Sequence, residues 1–116
     1  MPSYTISNSL QDIRDNIDLA LGFVAGYSFE SFSHDRRTAY AVTRYLGIIS
    51  EAARRIPDEF KERHPHLPWA SLAGTENVYR NDCEGALDQF VWRTVHEGLA
   101  PSRALLDAEL QKLDSE

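Results

Sequence analysis

The side chains able to move a proton or grip a phosphate are few. There are four histidines, His34, His64, His66 and His96, one thiol, Cys83, and a set of arginines that includes Arg36, Arg37, Arg44, Arg54, Arg55 and Arg80. Histidine is the side chain whose ordinary titration suits proton exchange near neutrality. Arginine offers a planar fork that matches phosphate. Only His64 and His66 stand close together, in His64-Pro65-His66-Leu67-Pro68, where the prolines mark a linker. A solvated linker is expected there, because a usable zinc site needs at least three well-placed ligands. His34 falls at a helix start and His96 on a helix surface. Arg80 could activate Cys83, but Asp82 and Glu84 flank the thiol with charges that disfavour a thiolate. With no second cysteine, neither a disulfide nor a cysteine-rich zinc fold can form within the chain. Glycine-rich phosphate loops, zinc-protease helices and serine nucleophile elbows are all absent from the sequence. No cofactor or metal is expected from these residues.

The elements that must carry these groups are helical. Leu10, Ile13, Ile17, Leu21 and Val24 recur at spacings of three and four, with Asp12, Arg14, Asp15 and Asp18 between them. Ser7 or Ser9 caps this helix, and it ends around Gly22 to Gly26, where Gly26 can take the left-handed conformation past the last turn. A connector rich in Ser and Phe follows. From Ser33 or Asp35 a longer helix carries Ala39, Val42, Leu46, Ile49, Ala53 and Ile56 on one stripe until Pro57 stops it. Pro57-Asp58-Glu59 suits a helix start, giving a short helix from Asp58 to Arg63. Trp69 to Leu72 starts another, which Gly74 ends. From about Ala86, Leu87, Phe90, Val91, Thr94, Val95 and Leu99 form a further stripe, and Pro101 kinks or restarts the helix before Leu105, Leu106, Leu110 and Leu113. No segment reads as a strand. The expected fold is all-α, an antiparallel bundle of about five helices.

Composition narrows the function classes. A chain of 116 residues is near the usual size of one domain, so residues 1–116 are read as a single domain. The 42% hydrophobic and 26% charged content matches a folded protein with a core, not a disordered one. The apolar runs are too short to span a bilayer, and Met1-Pro2-Ser3-Tyr4 does not begin a secretory signal, so no membrane association and a cytoplasmic location are expected. The net charge of −6 opposes generic binding to nucleic acid, though a local arginine-lined cleft remains open to RNA.

Three strings then carry a resemblance. Tyr45-Leu46-Gly47-Ile48-Ile49-Ser50-Glu51-Ala52-Ala53-Arg54-Arg55-Ile56-Pro57 is followed by Pro68-Trp69-Ala70-Ser71-Leu72-Ala73-Gly74 and by Val91-Trp92. In order, composition and spacing they resemble the HepT-like branch of the HEPN superfamily, over roughly Leu10 to Leu113. Physically, the first string is a buried helix seam in which Gly47, Ala52 and Ala53 permit close approach and Glu51 is a polar insertion.

The resemblance implies a HEPN-like helical bundle and a toxin-type, metal-independent endoribonuclease of a toxin–antitoxin pair. It also implies a homodimer with its cleft at the subunit interface and a nucleotidyltransferase-like antitoxin as partner. The family motif of Arg, four residues, His, one residue and Tyr falls on Glu76, Asn81 and Cys83, so all three positions differ from it. Tyr79-Arg80-Asn81-Asp82-Cys83 resembles a Tyr-Arg-His-Asp-Tyr variant of the family, in which Arg80 takes the place of the motif arginine. Arg80 and Asn81 are thus the catalytic candidates, with Glu76, Tyr79, Asp82 and Cys83 lining the site. Asn81 cannot exchange a proton near neutrality, so weak or absent activity is expected. The alternative is a non-catalytic helical module that binds a nucleotidyltransferase-like protein.

Overall fold

The computed structural model describes residues 2–74 and 84–115, with side chains at 6–73 and 88–113. Its helices are α1 (Pro2–Val24), α2 (Phe29–His34), α3 (Arg36–Arg55), α4 (Asp58–Arg63), α5 (Trp69–Gly74), α6 (Glu84–Arg93) and α7 (Ala100–Ser115). A π-helical segment, Thr94–Leu99, joins α6 to α7, so Glu84–Ser115 is one continuous rod. The chain is all-α, and the described residues contain no strand.

The bundle is organised around α1, which packs on α3 and then on α7. Buried Leu10, Ile13 and Ile17 of α1 meet Val42, Leu46 and Ile49 of α3 and Leu106 and Leu110 of α7 in one cluster. Pairs across the interfaces fix the direction of the helices. Asp12 reaches Arg55, and Phe23 packs 5.5 Å from Tyr45, so advancing along α1 means retreating along α3. Arg14 binds Asp107 and Asp18 binds Arg103, which gives the same antiparallel relation between α1 and α7. Ala52 and Ala53, fully buried, let α3 approach its neighbours closely, as the seam of small residues implies.

Local chemistry explains the helix ends. Gly26 has φ +82°, a conformation that disfavours side chains with a Cβ, and the amide of Tyr27 donates to the carbonyl of Val24 to close the turn. Asp35 caps α3 by accepting from the amide of Thr38 at 3.2 Å. Four expectations need correction. α1 begins at Pro2, ahead of Ser7 and Ser9. The Ser/Phe-rich connector holds a helical turn, α2, capped reciprocally by Ser28 and Ser31, with Phe32 in the core. Phe90, expected on the apolar stripe, is 44% exposed, whereas Val91, Val95 and Leu99 are buried. Pro101 does mark a restart, α7 beginning at Ala100, but it comes by way of a π-helical segment that was not expected. Lacking an N–H, the proline cannot bond back to residue 97, and the chain widens just before it: the amide of Ala100 donates to Val95, five residues back. The Ser102 hydroxyl then satisfies the Gly98 carbonyl at 2.7 Å.

Candidate functional site

Glu76, Tyr79, Arg80, Asn81, Asp82 and Cys83 lie outside the described residues. On both sides of that segment the chain is tied to α3. Before it, the fully buried Ser50 hydroxyl donates to the carbonyl of Ala73 at 2.8 Å, anchoring the last turn of α5. After it, Arg36 Nη1 donates to Asp88 Oδ2 at 2.9 Å, anchoring the second turn of α6. Burial works against the Arg36 charge, but the hydrogen bond and the charge of Asp88 outweigh it and hold the guanidinium above its ordinary range. Ser50 and Arg36 are fourteen residues apart, about 21 Å along a helix.

The resemblance strings fold as follows. Leu46, Ile49, Ala52 and Ala53 are buried, as a seam requires, but Glu51 faces solvent in this chain and is not a polar insertion in it. The helical period places it beside Arg44 and Ile48, opposite the core. Trp69 docks by donating its indole N–H to the carbonyl of His64 at 2.9 Å. Trp92 packs against Phe29 and Phe32 of α2 and against the ring of His96. Phe32 and, in part, Phe29 and Tyr45 are packed in this chain's own core, whereas Tyr40 is 66% exposed.

The histidines divide by what their second nitrogen meets. His34 and His96 each place Nδ1 2.8 Å from the carbonyl four residues back, Glu30 and Trp92 respectively, which makes Nδ1 the donor. His64 makes the same bond to Phe60 at 2.8 Å, but its Nε2 lies 3.0 Å from Oε2 of Glu109. A carbonyl cannot donate, so Nδ1 carries a proton, and the Nε2 contact needs a second one, on the ring or on the carboxyl. His66 Nε2 approaches the other carboxylate oxygen at 3.2 Å. Glu109 is 3% exposed, so these imidazoles are what satisfies a buried carboxyl on α7. The linker is thus clamped to the bundle and is not merely solvated. A glutamate on the apolar side of a helix was the signal in the sequence, and only the fold supplies its partner. Among the described residues no group of three or more His, Cys, Asp or Glu could hold a metal ion.

A second polar knot braces the α1–α3 turn. Tyr27 donates its hydroxyl to Asp35 at 2.6 Å, and this bond, with those from the Thr38 amide and hydroxyl, holds Asp35 below the usual carboxylate range. Arg103 bridges Asp18 and Asp107, keeping Asp107 below that range and its own guanidinium above its ordinary one. Among the described residues no helix is long and apolar enough to cross a membrane.

Comparison with known proteins covers nearly all of this bundle. The family described as "Ribonuclease HepT-like" matches residues 13–109. The "Probable ribonuclease HepT" of Thermococcus cleftensis is 37% identical over 78% of this chain and 82% of its own length. The "Putative RNase MJ1216" of Methanocaldococcus jannaschii is 33% identical over 81% of this chain and 78% of its own, and a Caldanaerobacter subterraneus relative with an RNase name is 30% identical over 89% and 92%. No solved structure matches significantly. The match extends from α1 into α7, a range that takes in the buried seam of α3 and both anchors, and on that ground the chain belongs to the HepT-like ribonuclease family of the HEPN superfamily.

Proposed function

We propose that this chain is a HepT-like toxin-type ribonuclease of a toxin–antitoxin pair, weakened by the asparagine at the position of the motif histidine. The observation that carries the proposal is the family match over residues 13–109, a range that includes Tyr79-Arg80-Asn81-Asp82-Cys83, the string that resembles the family motif. In this reading residues 1–116 form one HEPN domain that works as a cytoplasmic homodimer. Its cleft lies between the subunits, and a nucleotidyltransferase-like antitoxin restrains it.

The chemistry requires no metal. The ribose 2′-oxygen attacks the adjacent phosphorus, the bond to the 5′-oxygen breaks, and a cyclic phosphate and a 5′-hydroxyl result. One proton leaves the 2′-hydroxyl and one reaches the departing oxygen. Arg80 stabilises the charge that builds on the phosphorane. Asn81 orients phosphate or ribose through its amide, but it cannot transfer the protons, so a contribution of about 10²–10⁴-fold is missing. Glu76 sets a carboxylate near the phosphate, while Tyr79, Asp82 and Cys83 line the cleft.

The loss of the histidine also favours a second reading, a non-catalytic module that retains the dimer and binds the nucleotidyltransferase-like partner. RNA incubated with the pure protein and a chelator, beside the Asn81→His protein, separates the two. Cleavage gained in Asn81→His supports the enzyme, and inactivity of both supports the module.

A further inference from the structure

One face of α3 is built unlike the rest of the surface. Residues 36–50 contain Arg36, Arg37 and Arg44 and no Asp or Glu, in a chain whose net charge is −6. At about 100° per residue, Arg37, Tyr40 and Arg44 fall within an arc of about 60°, on the side opposite Val42, Leu46 and Ile49. All three are exposed. Arg14, Arg36, Arg55, Arg63, Arg93 and Arg103 each meet a carboxylate. Arg37 and Arg44 have no such partner among the described residues. Between them the Tyr40 ring stands 66% exposed, with the Arg36 guanidinium 5.2 Å from its centroid on one side.

From this arrangement we infer that the Arg37–Tyr40–Arg44 stripe binds a single-stranded RNA segment, with phosphates at the two arginines and a base stacked on Tyr40. The two guanidinium groups rise from points about 10.5 Å apart along the helix and flank an aromatic face, which is the pairing that single-strand binding uses: cations for the backbone, a π-surface for bases. Arg36, fixed by Asp88, backs the ring and leaves its other face to the base. The occupant follows from charge: from Arg37 to Arg44 the stripe carries two arginines and no carboxylate, Glu51 lying about two turns beyond Arg44, so on an acidic protein a polyanion meets little repulsion there. The placement follows from the anchors: both ends of the motif segment are fastened to this same helix, at Ser50 and Arg36, and the stripe lies between those points. RNA held there lies on the helix to which Ala73 and Asp88, on either side of the motif segment in sequence, are fastened. The inference rests on the ribonuclease reading and assigns that site's substrate grip to residues outside the motif.

The test is fluorescence anisotropy with a short, unstructured, labelled RNA, titrated at several salt concentrations. Each of Arg37→Ala and Arg44→Ala should lower the slope of log affinity against log salt by about 0.7, the share of one phosphate contact on a single strand. Tyr40→Ala should weaken binding about tenfold and leave the slope alone. Arg93→Ala, an exposed arginine paired with Glu97 elsewhere on the surface, should change neither. Slopes unaltered by the two arginine substitutions, or wild-type protein that binds no RNA, would overturn the inference. So would light scattering in which Tyr40→Ala converts dimer to monomer, since the stripe would then be covered by a second copy. Cleavage by Asn81→His is scored separately: stripe-dependent binding without cleavage removes the nuclease and keeps the stripe, and cleavage indifferent to the stripe does the reverse.

Discussion

Replacing His64 with alanine should destabilise the protein far more than removing an ordinary linker histidine. Glu109 is 97% buried, and His64 Nε2 meets it at 3.0 Å while His66, 46% exposed, meets its other oxygen at 3.2 Å. Removing one partner of a buried hydrogen bond costs about 1–3 kcal/mol, because the group left behind has no water to replace it. His66 remains on the other oxygen, so about 2 kcal/mol is expected. With an unfolding entropy of about 2.1 cal/mol/K per residue over 116 residues, that is a fall in Tm of about 8 °C. The His64 ring also stacks on Phe60 at 4.0 Å, so a single substitution mixes two losses. A double-mutant cycle of His64→Ala and Glu109→Gln, followed by thermal melting, isolates the pair. The coupling should be about 1 kcal/mol, the worth of the hydrogen bond that both substitutions remove. Coupling under about 0.5 kcal/mol would refute the reasoning and return the two histidines to the status of surface groups.

Ser50→Ala leaves the Ala73 carbonyl without its donor at a buried point and should cost about 1–3 kcal/mol, read by denaturant melting; it should also loosen α5 beside the motif segment and so lower any RNA cleavage. Acid should unfold the protein partly through Asp35, whose folded pKa is depressed first by Tyr27 and then by Thr38: its contribution is present above the unfolded value of about 3.9 and disappears as pH falls through the lower folded value. Asp35→Asn should therefore flatten the acid limb of Tm against pH while lowering Tm at neutrality, and an unchanged acid limb would count against this. Arg80→Ala should reduce RNA affinity or cleavage with Tm shifted by no more than about 4 °C, because an arginine that serves the substrate contributes little to folding.

The helices could be read from the sequence wherever one period governs a long stretch. In α3, Val42, Leu46, Ile49 and Ala53 repeat on a single face between the Asp35 cap and Pro57, and nothing competes with that pattern. α2 escaped because six residues are too few to show a period, and its capping box uses Ser31 where Glu or Gln would have flagged it. The π-helical turn before Pro101 was illegible for another reason. Proline announces a lost hydrogen bond, but whether the chain kinks or widens depends on what packs around it, here Val95 and Leu99 in the core.

The site was legible as strings and not as an arrangement. Tyr79-Arg80-Asn81-Asp82-Cys83 and the α3 seam announced the family, yet nothing local showed that Ser50 and Arg36 fasten the two sides of the motif to one helix. Both contacts join residues more than twenty positions apart. The same distance hid the Glu109 clamp: His64 and Glu109 are joined by tertiary packing across forty-five residues, and linker prolines argue only for exposure. Glu51 failed in the opposite direction. Its neighbours Ala52 and Ala53 are buried, and a helix turns its face within one residue.

The proposed ribonuclease is tested most directly by cleavage of a single-stranded RNA, in chelator, by the wild-type protein and by Asn81→His. A weakened HepT-like enzyme gives weak or no cleavage in the first and a gain of about 10²–10⁴-fold in the second, with 2′,3′-cyclic phosphate ends. Two folded proteins that are equally inactive would contradict this reading.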